Sequence, residues 1–269
     1  MIGSSRESLA ACREGLDARR DAAGFDLLSG QLFAVAGVLA AETQLRSVLA
    51  DSGQPAEVRE GLVRQVFGGK VSDLAIDVLL LVVGRRWAEN LDLILALEQL
   101  ADQAAFTVAD ANGTLETTEE ELFRFGRAVD GSPDLQMTLT DPAQNATTKA
   151  KVVADLLADR TTAATREVLG YAVGHLHGRR IDSVIDELCS LAAEQRQRVV
   201  AEVRVAEPLE ADQVRRLADV LTRLKGRTVR LNVAVDPAVL GGVHVRIGDE
   251  VIDGTVAARM ENASRAILG

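Results

Sequence analysis

Apolar residues recur three and four positions apart along most of this chain. Leu32, Val35 and Leu39, then Leu45, Val48 and Leu49, then Val58, Leu62, Val63 and Val66 follow that spacing and predict successive helices. Leu74 to Val83, and Leu91, Ile94, Leu95 and Leu97, continue it. Asp51 to Pro55, Gly68-Gly69 and Gly84 punctuate these segments as turns. The period then runs unbroken through Leu97, Leu100, Ala101, Ala104, Ala105, Val108 and Ala109 to Asn112-Gly113. A single long helix is therefore expected to end one bundle and begin the next, with no flexible linker. Thr117 and Glu120 stand at capping-box spacing and mark the expected start of the following helix. Later breaks fall at Gly131-Ser132-Pro133, Asp141-Pro142 and Gly174.

After about Gln197 the period changes from helical to alternating. Val199, Ala201, Val203 and Val205 read as a strand, as do Val229, Leu231, Val233 and Val235. Between them Val214, Leu217, Ala218, Leu221 and Leu224 return to helical spacing up to Gly226. Val243, Val245 and Ile247 predict a third strand, with His244 and Arg246 on its other face. Gly248-Asp249 suits a hairpin turn into Val251-Ile252. Val256, Met260, Ala263 and Ile267 share one side of a terminal helix.

The helical part also repeats. Shifted by 90 positions, Leu32-Phe33 falls on Leu122-Phe123, Leu45 on Leu135, Leu49 on Leu139 and Asp51 on Asp141. Gln54, Ala56 and Val63 fall on Gln144, Ala146 and Val153. Val78-Leu79 falls on Val168-Leu169, Val83-Gly84 on Val173-Gly174, and Asp92 on Asp182. Two Leu/Ala-rich helical segments can match by composition alone, but these matches keep one register and include Gly and Asp, which points to an internal duplication. The expected architecture is mainly α: a first helical bundle over 1–100, a second over 101–196, and a small α/β domain over 197–269.

Composition narrows the chemistry. The chain has 269 residues, a net charge of −10 and only 3% aromatics. Such acidity repels nucleic acid and anionic membrane. The longest apolar run, Val78 to Val83, is too short to span a bilayer, and the charged first 25 residues contain no signal-peptide core. Cys12 and Cys189 are far apart in sequence and read as reduced, with Cys189 packing on an apolar helix face. His175 and His177 form an H-x-H pair. Two residues apart on a helix they would diverge, so solvated helix-end histidines are expected rather than metal ligands. The carboxylates read as solvating charge on amphipathic faces. Gly241-Gly242 lacks the Lys-Ser/Thr of a phosphate loop and leads into a strand. The backbone there is expected to turn sharply or to meet another backbone closely, the alternative being a tolerant loop. No cofactor is implied.

The C-terminal residues carry a resemblance. The run Val200 to Leu209 (VAEVRVAEPL), a helix, Gly226 to Leu231, Val235-Asp-Pro-Ala-Val-Leu-Gly-Gly-Val243, Arg246-Ile-Gly-Asp249 and Ile252-Asp-Gly-Thr255 resemble the delta subunit of bacterial rotary ATP synthases, homologous to the mitochondrial oligomycin-sensitivity-conferring protein. Thr255 stands where Ser is commoner and keeps a hydroxyl able to cap the last helix. Gln103 to Ala109, Asn112 to Leu115, Glu121-Leu122, Leu135, Leu139, Asp141-Pro142 and Gly178-Arg179-Arg180 with Ile181, Val184 and Ile185 look like that family's N-terminal domain. Residues 1 to about 100 are surplus to a typical member, as in the long actinobacterial form. That form is sometimes fused to a b-type subunit; without a preceding membrane span, this chain looks like a standalone form or an isolated portion.

The resemblance implies a non-catalytic stator subunit of the proton-translocating ATP synthase, peripheral on the cytoplasmic face of the cell membrane. It would join the catalytic head to the b-type stalk and resist rotor torque. The implied partners are N-terminal helices of alpha subunits, bound in a bundle groove, and the distal end of b, bound by the C-terminal domain. Ala104, Ala105, Phe106, Val108 and Ala109 offer small side chains and one aromatic for the alpha helix, and Gly241 and Gly242 belong to the stalk-binding domain. The second bundle is expected to grip alpha, and the first, with its thin stripe of Leu9, Cys12 and Leu16, to brace the stalk or a second subunit. Two rivals are a helix-binding adaptor of another assembly, and an enzyme with its site around His244, Asp249 and Asp253.

Overall fold

The computed structural model describes residues 1, 3–141, 143–157, 160–197, 199–225, 229–236, 239, 241–247 and 250–253. The three-and-four periodicity becomes helices α1 (Ser4–Asp17), α2 (Leu28–Ala41), α3 (Thr43–Ala50), α4 (Ala56–Phe67) and α5 (Asp73–Val83). Next come α6 (Asn90–Ala111), α7 (Leu115–Asp130), α8 (Pro133–Thr140), α9 (Ala146–Leu157), α10 (Ala163–Ala172) and α11 (Ile181–Gln197). The unbroken period across 91–109 is the 22-residue α6, most of whose residues are buried. The helix after it begins earlier than the capping-box spacing suggests. Thr117 lies inside α7, which starts at Leu115 after Thr114. The Thr114 hydroxyl donates back to the Ala109 carbonyl at 3.2 Å, and the turn closes on Gly113 at φ +68°, so backbone geometry rather than a capping side chain starts the helix.

The 90-residue shift reappears in three dimensions. It carries α3 onto α8 and α4 onto α9 residue for residue, and α5 onto α10 to within one residue. It also reproduces hydrogen bonds. Gln31 Oε1 on α2 accepts from the Ser72 amide and hydroxyl at 3.0 and 2.7 Å. Glu121 Oε2 on α7 accepts from the Thr162 amide and hydroxyl at 2.9 and 3.0 Å. Ser72 and Thr162 are the N-caps of α5 and α10. Asp51 and Asp141 each accept from the backbone two residues on at 2.8 Å, forming matching Asx turns. A buried cation recurs as well: Arg59 on α4 donates to the Val83 carbonyl that ends α5, and Lys149 is buried at the equivalent place on α9.

The chain divides into two compact units, Met1–Gln195 and Arg196–Gly269. One hydrophobic cluster runs through the first unit from Leu9 to Ala192. Leu93, Leu97, Leu100 and Phe106 of α6 are fully buried in it. In the second unit α12 (Ala211–Lys225) connects β1 (Val199–Val205) to β2 (Val229–Val235), followed by β3 (Val243–Ile247) and β4 (Glu250–Asp253). The sheet order is β2-β1-β3-β4, with β1–β2 parallel in the register Val199↔Val229. A parallel pair needs a crossover, and α12 supplies it. β3 runs antiparallel to β1 and to β4. Ala201, Val203, Val205, Val229, Leu221, Val245 and Ile247 form its core, while Glu202 and Arg246 pair at 2.8 Å on exposed positions. Gly226, Gly248-Asp249, Thr255 and the terminal helix expected through Ile267 lie outside the described residues.

Candidate functional site

The two helical halves meet along α2. Its Gly30, Phe33 and Gly37 are spaced so that one helix face carries two positions without side chains around one aromatic. That face runs in step with α10 and the turn after it. A Cβ on Gly30 would stand 3.2 Å from Glu167 Oε1, and one on Gly37 would stand 3.9 Å from His175 Nε2. Between them the Phe33 ring stacks on Tyr171, centroids 4.3 Å apart. Tyr171 in turn stacks on His175 at 3.9 Å and nearly parallel. α2 also packs along α6, and α6 along α10, so α2 fills the cleft between α6 and α10.

Beneath this stack lies a polar cluster. Glu98 of α6 is buried and accepts from the Tyr171 hydroxyl at 3.1 Å and from Arg179 Nη2 at 3.5 Å. Its Oε1 also lies 2.7 Å from His177 Nε2. Arg179 holds Glu187 of α11 at 2.8 Å as well. Asp102, one helical turn from Glu98, is buried too. Burial first, then the Glu98 carboxylate, push its pKa well above the ordinary 3.8, against the opposing pull of Arg179. Burial and Glu98 likewise raise the Tyr171 phenol.

This corrects two readings of the sequence. His175 and His177 are half-buried and partnered within the protein rather than solvated helix-end side chains. α10 ends at Ala172, and His177 adopts φ +50°, so helical geometry no longer separates the pair and both join the cluster. Glu98 and Asp102 are not solvating charge, because α6 is covered on more than one side by the packing of a second half. Among the described residues no group of three or more His, Cys, Asp or Glu side chains is placed to hold a metal ion. None of their helices is by itself long and apolar enough to cross a membrane.

Ala104, Ala105, Phe106 and Ala109 are buried inside the helical unit, and Val108 is half-buried. Phe106 sits in the core rather than at a rim. Gly241 and Gly242 are far from these in sequence and belong to the second unit, where they precede β3 at φ +76° and +81°. The expected sharp turn is present, in a conformation that side chains disfavour. The Tyr171–Glu98–His177 cluster was invisible to sequence spacing; the acidic i, i+4 pair Glu98 and Asp102 within a Leu/Ala-rich helix was its only trace.

A stacked seam, a mainly aliphatic core and a small α/β unit make up the described chain. The family model for the ATP synthase delta (OSCP) subunit matches residues 102–267. ATP synthase subunit delta of Streptomyces avermitilis is 42% identical over 98% of this chain and 97% of its own. That of Streptomyces coelicolor is 41% identical over 99% and 98%. A chain in the Toxoplasma gondii mitochondrial ATP synthase hexamer is 18% identical, covering 64% of this chain and 98% of its own, with a TM-score of 0.28. The chain belongs to the ATP synthase delta (OSCP) subunit family, a peripheral-stalk component of that membrane-bound complex.

Proposed function

We propose that this chain is a non-catalytic stator on the cytoplasmic face of the membrane, gripping N-terminal helices of alpha subunits with its helical unit and the distal end of a b-type subunit with its α/β unit. The full-length similarity to actinobacterial delta subunits carries the reading. It is supported by a fold whose described part is built of packed helices and a small four-stranded sheet. Helix-in-groove recognition needs apolar stripes and small residues rather than reactive groups. A tagged full-length chain should co-purify alpha and b subunits from solubilised membranes. Its deletion should abolish proton-driven ATP synthesis while detached heads still hydrolyse ATP. Normal ATP synthesis in the deletion strain would reject the stator role.

A further inference from the structure

The turn over 173–180, between α10 and α11, is half-buried along much of its length. His177 and Gly178 at its middle both adopt left-handed backbone, at φ +50° and +77°. For a histidine that conformation is strained and persists only where the surroundings impose it. Glu98 of α6 imposes it, lying 2.7 Å from His177 Nε2 and 3.5 Å from Arg179 Nη2. Glu98 also accepts the Tyr171 hydroxyl at 3.1 Å, and the Tyr171 ring lies on Phe33 of α2. The turn thus clasps α6 and, through one aromatic ring, α2.

Asp102 stands one helical turn from Glu98 and is 8% exposed. Among the described residues no hydrogen bond reaches it, because Glu98 engages His177 and Arg179, and Arg179 is shared with Glu187 of α11. Both carboxyl groups line a cavity of about 20 Å³, room for one water molecule. Two carboxylates so close and so little hydrated cannot both ionise cheaply. Glu187 and Glu167 of α10 add to the repulsion of a charge on Asp102, and only Arg179 opposes it. His175, which lines the same cavity, has Nδ1 on the Tyr171 carbonyl at 2.9 Å. α2 carries no ionisable side chain. On the other faces of α6, Arg13 and Asp17 of α1 bind Gln99 and Gln103, and Arg46 of α3 binds the carbonyls ending α2. Glu121 of α7 is taken by Thr162 and Thr165, and Asp26, Asp73 and Asp77 are exposed.

We propose that this turn is a proton-operated latch, shut on α6 and α2 while Asp102 holds a proton and lifted when that proton leaves to bulk water. Lifting brings water to Asp102 and Glu98, which stabilises the ionised pair in the open form. Opening and proton release are therefore linked. A rise in pH favours the open form by up to about tenfold per unit through the window in which Asp102 titrates. Opening also takes Tyr171 off Phe33, so the proton concentration sets how firmly the two helical halves are joined. Protonating His177 would tighten its contact with Glu98 and act in the same direction, so the test separates the two groups.

Amide hydrogen exchange of the full chain across pH, corrected for the intrinsic rate at each pH, reads the latch through peptides spanning 173–180. Gly174, His175 and Arg179 there have hydrogen-bonded amides. The opening constant should rise up to about tenfold per pH unit in the wild type, lie flat in Asp102→Asn and keep its slope in His177→Gln. It should also stay about tenfold or more above that of the buried α6 amides, which open only with global unfolding. Tyr171 is the only tyrosine of the chain. The tyrosine band of near-ultraviolet circular dichroism should therefore fall over the same window, a readout that needs no variant to fold. A flat wild-type profile with an unchanged tyrosine band would overturn the proposal. Equal opening constants for the turn and α6 would assign the slope to global unfolding and overturn it too. So would a slope lost in His177→Gln and kept in Asp102→Asn, which would assign the latch to the histidine.

Discussion

Asp102 shows how burial converts a carboxylate from a solubilising group into a burden. Its pKa is raised in the folded chain, so between the ordinary 3.8 and the raised value the native state binds more protons than the unfolded state. Stability therefore falls as pH rises through that window and stays reduced above it. Asp102→Asn removes the titrating group while keeping the shape. The substitution should raise the melting temperature at pH values above that window and flatten the decline in stability through it. A variant with the wild-type pH slope would show that the charge is compensated elsewhere. Phe33 and Phe123 make a second comparison at this scale, since they occupy equivalent positions in the two halves. Phe33 is 5% exposed and stacked on Tyr171, so Phe33→Ala should destabilise by about 3–5 kcal/mol. Phe123→Ala should change stability by no more than about 0.5 kcal/mol. Denaturant unfolding of both variants decides it, and equal effects would refute the seam as the site of docking.

At the scale of elements, the helix breaks and strand alternation were readable because they depend on neighbours in sequence. Gly68, Gly84 and Gly131 stop helices where the spacing predicts, and Val199 to Val205 pairs as a strand through its whole length. The start of α7 was misplaced because Thr114 and Gly113 settle it through backbone conformation, and Thr117 imitates a cap without serving as one. The turn before β3 was legible as a glycine pair, and its two positive φ values give it a definite energetic consequence. A left-handed conformation costs a side-chain-bearing residue about 1–2 kcal/mol. Replacing Gly241 and Gly242 together by Val should thus cost about 2 kcal/mol or more. In a thermal scan of the full chain, the unfolding of the α/β unit should move to lower temperature while that of the helical unit stays put. An unshifted scan would show the loop to be tolerant.

At the scale of the molecule, the two helical repeats share α6 and a continuous core, so 1–195 is expected to unfold as one cooperative block. Calorimetry of that fragment should give a single transition. A fragment of 101–195 alone should lose cooperativity, since it lacks α2 and half of α6. A cooperative transition of 101–195 near that of 1–195 would instead make the second repeat self-sufficient.

Sequence by itself determined the helical class, the 90-residue period, the long shared helix and the strand–helix–strand order of the last unit. Each of these follows from side-chain periodicity or from residues that interrupt it, and such signals are local. Only the tertiary structure decided which cleft α2 fills, that Ala104, Ala105, Phe106 and Ala109 are buried, and that Glu98, Tyr171 and His177 meet. Those residues lie more than 70 positions apart across the Glu98–Tyr171 and Glu98–His177 contacts. Whether a charged side chain on α6 faces water or a second half depends on how two similar bundles pack, and the hydrophobic effect that packs them is non-directional. Shape then selects the arrangement: Gly30 and Gly37 on one helix and a stacked tyrosine on the other.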